Sequence, residues 1–145
     1  MRMWMVDPKI MCRKHLLGEH VELHMFVGSL RKGKNVTGYI MNNLLEISSL
    51  INRHKVIVEE MKCRGYSHKS ELTSLRVYDF PPSWLRAKIN KENSLKDLMN
   101  RCPECFRNHQ FLKSEQYKEM KQLANKHEIT IVGCNYKTRR VKNEI

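Results

Sequence analysis

Two carboxylates and an imidazole lie close together in residues 14–32, KHLLGEHVELHMFVGSLRK. Leu16, Leu23, Val27 and Leu30 recur at helical spacing and, at about 100° per residue, fall on one stripe. His15, Glu19, Glu22 and Phe26 project onto the border of that stripe, where a helix meets its core. A carboxylate placed there is a candidate for proton transfer or for stabilising a developing cation. The ordinary alternative is a flank residue that is only solvated or hydrogen-bonded. His20 and His24 stand four apart, the spacing of a two-histidine zinc site, yet HVELH is not HExxH and no third ligand is evident nearby.

A second constellation is Cys102-Pro-Glu-Cys105, with His109 four residues on and Cys134 further along. Two thiolates, an imidazole and another thiolate suit tetrahedral zinc. Phe106 stands where a zinc knuckle has glycine. Two readings compete with metal: a redox pair, for which no βαβ pattern is present, and buried thiols at a helix break. The cysteines number five, at 12, 63, 102, 105 and 134, in a chain with no export signal. Reduced thiols or a metal site therefore fit better than a disulfide framework.

The third candidate is the chain's first atom. Met1, Met3, Trp4 and Met5 make an apolar N-terminus, with Arg2 and Lys9 among them. Chain ends normally fray, so an end of this composition is expected to be tied down. A large residue such as Arg2 after the initiator methionine generally blocks its removal, which leaves Met1 with the free α-amine. An unperturbed α-amine has a pKa of about 7.7–8.0 against about 10.4 for lysine, and so supplies far more neutral nucleophile at pH 7.

The elements that must position these groups point to a mainly α, single compact helical domain over 1–145, with long loops and at most a short strand pair near the C-terminus. The chain has 145 residues, 41% of them hydrophobic, enough for a real core. After the first helix comes a basic turn, RKGKN, and an apolar stretch around Tyr39. Residues 50–64 read as a helix with Leu50, Ile57, Val58 and Met61 inward and Gly65 as its C-cap. Residues 67–82 read as a loop in which LRVYDF is extended and Pro81-Pro82 stops it. Ser94 offers an N-cap to a helix through Leu95, Leu98 and Met99, which Pro103 breaks or restarts. Tyr117, Met120, Leu123 and Ala124 mark a face of a final helix over 114–127. ITIVG is the best strand candidate, and the last ten or so residues form a basic, mobile tail.

The formal net charge is +12, from 27 Lys and Arg against 15 Asp and Glu. That balance favours a polyanionic partner, nucleic acid or an anionic membrane surface. No apolar run approaches membrane-spanning length, and the N-terminus lacks a signal-peptide apolar region, which points to a cytosolic protein.

HLLGEHVELHMFVGSLRK, RGY at 64–66, DFPPSWLR at 79–86 and INKENSLKDLMNR at 89–101 together resemble the pyrimidine-dimer DNA glycosylases of the phage endonuclease V type. The resemblance runs in order over most of residues 1–101. It implies a compact, mostly helical, metal-independent monomer without cofactor, acting on double-stranded DNA that contains damaged pyrimidines. It further implies glycosylase and abasic-site lyase activity, with the α-amine of the first residue as nucleophile and a first-helix glutamate as the key acid. Carried onto this chain, Met1 takes the nucleophile's position and Glu22 the carboxylate's. Arg2 is the basic residue that follows, and His15 lines the site. Arg31 and Lys32 reach the DNA backbone, Arg101 meets the phosphate, and Lys14 stands near the inserted residues at the helix start.

Three departures qualify that match. Two family arginines on the first helix are here Val21 and Met25, the first residue is bulkier than the small one expected, and the family's aromatic, basic C-terminal segment has only Tyr136, Lys137, Arg139 and Arg140 as a substitute. Two other classes remain open: a non-catalytic basic DNA-binding module stapled by zinc through Cys102, Cys105 and His109 with Cys134 available, and an RNA or membrane-surface binder using net charge alone.

Overall fold

The computed structural model describes residues 1–127 and the backbone of two strands, 129–132 and 137–140. Its centre is α1 (Arg13–Arg31), which starts where the Cys12 sulfur accepts the His15 N–H. Leu16, Leu23, Phe26, Val27 and Leu30 are buried along one face, the expected stripe with Phe26 added. That face packs against α3 (Leu50–Cys63), where Leu50, Ile57, Val58 and Met61 are buried. A short α2 (Thr37–Met41) comes between them in the chain.

Helix α3 ends because Gly65 takes φ +81°, a left-handed conformation that favours glycine. Its N–H bonds Lys62 O at 2.9 Å while Tyr66 N–H reaches Met61 O at 2.9 Å, the paired bonds that satisfy a helix's last carbonyls. The remaining helices are α4 (Pro82–Arg86), α5 (Lys91–Arg101), α6 (Pro103–Leu112) and α7 (Glu115–Lys126). Strand β1 (Ile129–Val132) pairs antiparallel with β2 (Lys137–Arg140), Ile129 opposite Arg140 and Val132 opposite Lys137. The fold is mainly α, with a short C-terminal strand pair.

Several local expectations are corrected. Within LRVYDF, Val77–Asp79 form a 3-10 turn instead of extended chain. Pro82 does not merely stop that segment: it opens α4, where its missing N–H costs nothing. The cap of α5 is Asn90, whose side chain accepts Asn93 N–H at 3.0 Å; Ser94 lies buried one turn in and is used elsewhere. Helix α7 is capped by Ser114, yet of its apolar face only Ala124 is buried and Leu123 is 57% exposed. Part of the supposed mobile tail is strand β2; Tyr136 and residues 141–145 lie outside the described residues.

Residues 1–12 enter the core without regular structure apart from a 3-10 turn at Pro8–Ile10. Buried backbone groups there need partners, and side chains of other elements supply most of them. Met3 N–H bonds Leu44 O at 2.8 Å. Trp4 N–H is accepted by Glu19, and Trp4 O takes the Ser94 hydroxyl. Val6 O accepts Arg53 Nη1 at 2.7 Å, Pro8 O accepts Arg64 Nη2 at 3.0 Å, and Ile10 O accepts Asn108 Nδ2 at 3.1 Å. Glu19 and Arg53 themselves form an ion pair whose side chains are 0% and 6% exposed.

A buried pair of this kind need not add net stability, but removing one partner strands the other and typically costs about 3–5 kcal/mol. Arg53→Met is therefore expected to lower stability by about that amount, roughly 10 °C in melting temperature for a chain of this size. Thermal and denaturant melts measure it; an unchanged melting temperature contradicts the anchoring role.

Candidate active site

Glu22 lies half-buried on α1, and its Oε2 accepts the backbone N–H of Arg2 at 3.1 Å. The α-nitrogen of Met1 is separated from that nitrogen by one residue's backbone, at most about 3.7 Å. The terminal amine is thus within about 7 Å of the Glu22 carboxylate. Met1 is half-buried and packs against the core cluster. The amine and the acid are brought to one place because Met3 and Trp4 are pinned just downstream, which leaves the first two residues little length in which to stray.

The Arg2 side chain is spent within the protein. Its Nη1 lies 2.6 Å from Asp97 Oδ2, its Nη2 donates to Ser94 Oγ at 3.0 Å, and its guanidinium sits 3.7 Å over the Trp4 ring. Burial lowers its pKa, with Asp97 opposing. Arg101 reaches the same carboxylate from one turn later, Nε to Oδ1 at 2.8 Å, with its side chain 63% exposed. Ser94, Asp97 and Arg101 share a face of α5 through i, i+3 and i, i+4 spacing. Beside them opens a cleft of about 280 Å³ lined by Arg2, Asp97 and four carboxamides, Asn42, Asn43, Asn90 and Asn93.

The other expected contacts spread along α1. Lys14 is exposed in the first turn, and Arg31 and Lys32 are exposed at the far end, about 14 Å along the axis from Glu22. Arg31 lines a separate cleft of about 300 Å³ with Arg76, Asp79 and Phe80. Val21 and Met25, expected as departures from the resemblance, are 55% and 52% exposed. Glu19, the second acid on the stripe border, is a core residue committed to Arg53 and Trp4.

His15 packs edge-on to Trp4 at 5.7 Å, and its Nδ1 faces sulfur: Cys12 Sγ at 3.1 Å and Cys105 Sγ at 3.7 Å. Burial and Lys14 lower its pKa against the pull of Glu22 and Glu104. The expected ligand set is corrected accordingly. Cys102 and Cys105 do stand together, but their companions are Cys12 and His15. His109 faces an apolar cavity of about 400 Å³ with Met5, Val6 and Ile10, and Cys134 lies outside the described residues.

Burial raises the pKa of Cys12 and Cys105. Burial also pushes Cys102 upward, but hydrogen bonds from Cys105, Cys12 and Glu104 outweigh it and bring its pKa down.

His20 and His24 have two further histidines against them, His54 of α3 and His68 of the loop after it. Sequence reading missed these because the partners are remote in the chain. The available signal was His54 itself, which sits on the apolar stripe of α3 between Leu50 and Ile57.

Residues 1–74 match the sequence model of a family described as pyrimidine dimer DNA glycosylase. No curated protein and no solved structure matches the chain. Among the described residues, no helix is long and apolar enough to cross a membrane.

Proposed function

The chain belongs to the pyrimidine dimer DNA glycosylase family, and on that footing we propose that it excises damaged pyrimidines from double-stranded DNA and then cuts the strand, with Met1 as nucleophile and Glu22 as catalytic carboxylate. The observation that carries this reading is the bond from Arg2 N–H to Glu22, which holds the carboxylate within about 7 Å of the first amine.

The neutral α-amine attacks the anomeric carbon of the damaged nucleotide. The glycosidic bond breaks and its electron pair leaves with the base. Loss of a proton and opening of the sugar leave an iminium between Met1 and the former anomeric carbon. Glu22 stabilises the cationic sugar in the first step and removes the proton from the adjacent carbon in the second, so that the 3′ phosphate departs by β-elimination. Water then hydrolyses the iminium and frees Met1.

The cations around this pair have distinct work. Arg101, exposed beside Asp97, meets the phosphate next to the scissile linkage. Arg2 shapes the floor from within the protein. The carboxamide-lined cleft takes the extruded nucleotide, since four Asn side chains offer donors and acceptors to a base edge. Lys14 approaches the strand at the helix start. Arg31, Lys32 and Arg76 hold the duplex farther along, which moves part of the backbone clamp away from the exposed apolar positions Val21 and Met25.

Borohydride reduction is expected to trap a covalent protein–DNA adduct on a duplex containing a pyrimidine dimer. Glu22→Gln should keep DNA binding and lose at least about 100-fold in strand cleavage, the scale of removing a general base. Acetylation of Met1, or residues added ahead of it, should abolish the adduct; an adduct that survives transfers the nucleophile to a lysine.

Replacing Arg31 and Lys32 together by alanine should weaken binding to all duplexes and reduce the slope of log affinity against log salt by about two. An unchanged slope places both residues away from DNA.

A further inference from the structure

His20, His24, His54 and His68 bring four imidazoles to one point between α1, α3 and the loop that follows α3. Ring centroids are 4.9 Å apart for His20–His24, 5.0 Å for His20–His54, His20–His68 and His24–His54, and 5.3 Å for His54–His68. One nitrogen from each ring lies within 4.8 Å of the others. The Nε2 atoms of all four are buried and have no hydrogen-bond partner among the described residues.

The outer sides of two rings are engaged. His54 faces the Ser70 backbone, and His68 Nδ1 lies 3.9 Å from Glu71 Oε1. Such outer contacts favour a proton on Nδ1 and a bare lone pair on Nε2, which is how metal-binding histidines are oriented. Four converging lone pairs repel one another unless a cation lies between them. We propose that these four histidines bind one divalent zinc-class ion in tetrahedral coordination.

The donor set fits that ion. Imidazole suits zinc and its neighbours in the first transition row, and zinc–nitrogen bonds of about 2.0–2.1 Å imply nitrogens about 3.4 Å apart, which ring rotations from the present spacing can supply. Four protein ligands leave no open coordination position, and the ion's role is structural.

Glu22 stands about 200° around α1 from His20 and about 160° from His24, so the ion lies across the helix from the proposed chemistry. It clips the loop carrying His68 to the two central helices.

A different set of observations carries a second site. Cys12 Sγ lies 3.9 Å from Cys102 Sγ, and His15 Nδ1 lies 3.1 Å from Cys12 Sγ and 3.7 Å from Cys105 Sγ. The edge of a zinc tetrahedron with bonds of about 2.3 Å to sulfur is about 3.8 Å. Backbone N–H groups of Cys12, His15 and Cys105 donate to Cys105, Cys12 and Cys102 sulfurs at 3.2, 3.5 and 3.4 Å, contacts that stabilise thiolates. We infer a structural zinc at Cys12, His15, Cys102 and Cys105, joining the start of α1 to the start of α6.

Both sites are tested on the full chain, stripped with a chelator and reloaded with Zn²⁺ or Co²⁺ alone. The expected uptake is two equivalents, with a cobalt spectrum that contains a sulfur-to-metal charge-transfer band. His68→Ala should lose one equivalent and keep that band; Cys102→Ser, which preserves an oxygen cap for α6, should lose the other equivalent and the band. Unchanged stoichiometry in His68→Ala overturns the four-histidine site, and a persisting band in Cys102→Ser overturns the sulfur site.

Two measurements on the unmodified chain cover variants that do not fold. Zn²⁺ should slow amide exchange in residues 67–71 and slow the reaction of the cysteines with a thiol reagent. Unaltered exchange counts against the first site, unaltered thiol reactivity against the second. These readouts require no strand cleavage, so failure here leaves the Met1–Glu22 chemistry standing.

Discussion

The structure depends on satisfying a stretch of backbone that runs through the core with few backbone neighbours of its own. Glu19 and Arg53 do most of this: the acid accepts Trp4 N–H, the guanidinium donates to Val6 O, and each neutralises the other. Ser94 of α5, Asn108 of α6 and Arg64 at the end of α3 complete the set. Because the partners are side chains, the register of the N-terminal segment is set by residue identity and not by a repeating ladder. That is what allows a chain terminus, ordinarily the least ordered part of a protein, to be held at a defined place.

Helix α1 serves three neighbours at once. Its buried stripe carries the core, Glu22 meets the chain terminus, and His20 and His24 meet α3 and the following loop. Asp97 plays a comparable part on α5, where one carboxylate orders both Arg2 and Arg101. With a net charge of +12 the chain has cations in excess, and its few well-placed acids decide which of them are fixed and which stay exposed to a polyanion.

Much of this was legible in the residues. Periodicity located α1 and α3 and most of their buried positions, and Gly65 marked a helix end through local chemistry that acts within one turn. The apolar N-terminus announced that it would be held, though not by what. Ser94 was misread as a cap because its real partners, Trp4 and Arg2, lie some ninety residues away. LRVYDF has the composition of a strand but no partner strand among the described residues, and Val77–Asp79 within it curl into a 3-10 turn. Glu19 and Glu22 sit on the same stripe border, and periodicity alone cannot separate them; the buried arginine 34 residues on is what commits Glu19 to the core. The sulfur and histidine clusters were half visible for the same reason. Spacing within a helix or turn shows two ligands, and the others come from segments that only the fold brings near.

The angular bookkeeping of α1 limits how the chain length could vary. Inserting or deleting one residue between Cys12 and His24 would rotate everything beyond it by about 100°. Glu22 would swing away from the terminus, or the histidines would swing away from α3, and no side-chain rearrangement restores both. Length changes in the turn at 32–36 or in the loop at 72–76 leave that rotation untouched. The helix therefore acts as a keyed shaft whose teeth point in different directions, and its length between residues 12 and 24 is as constrained as the identity of any side chain it carries.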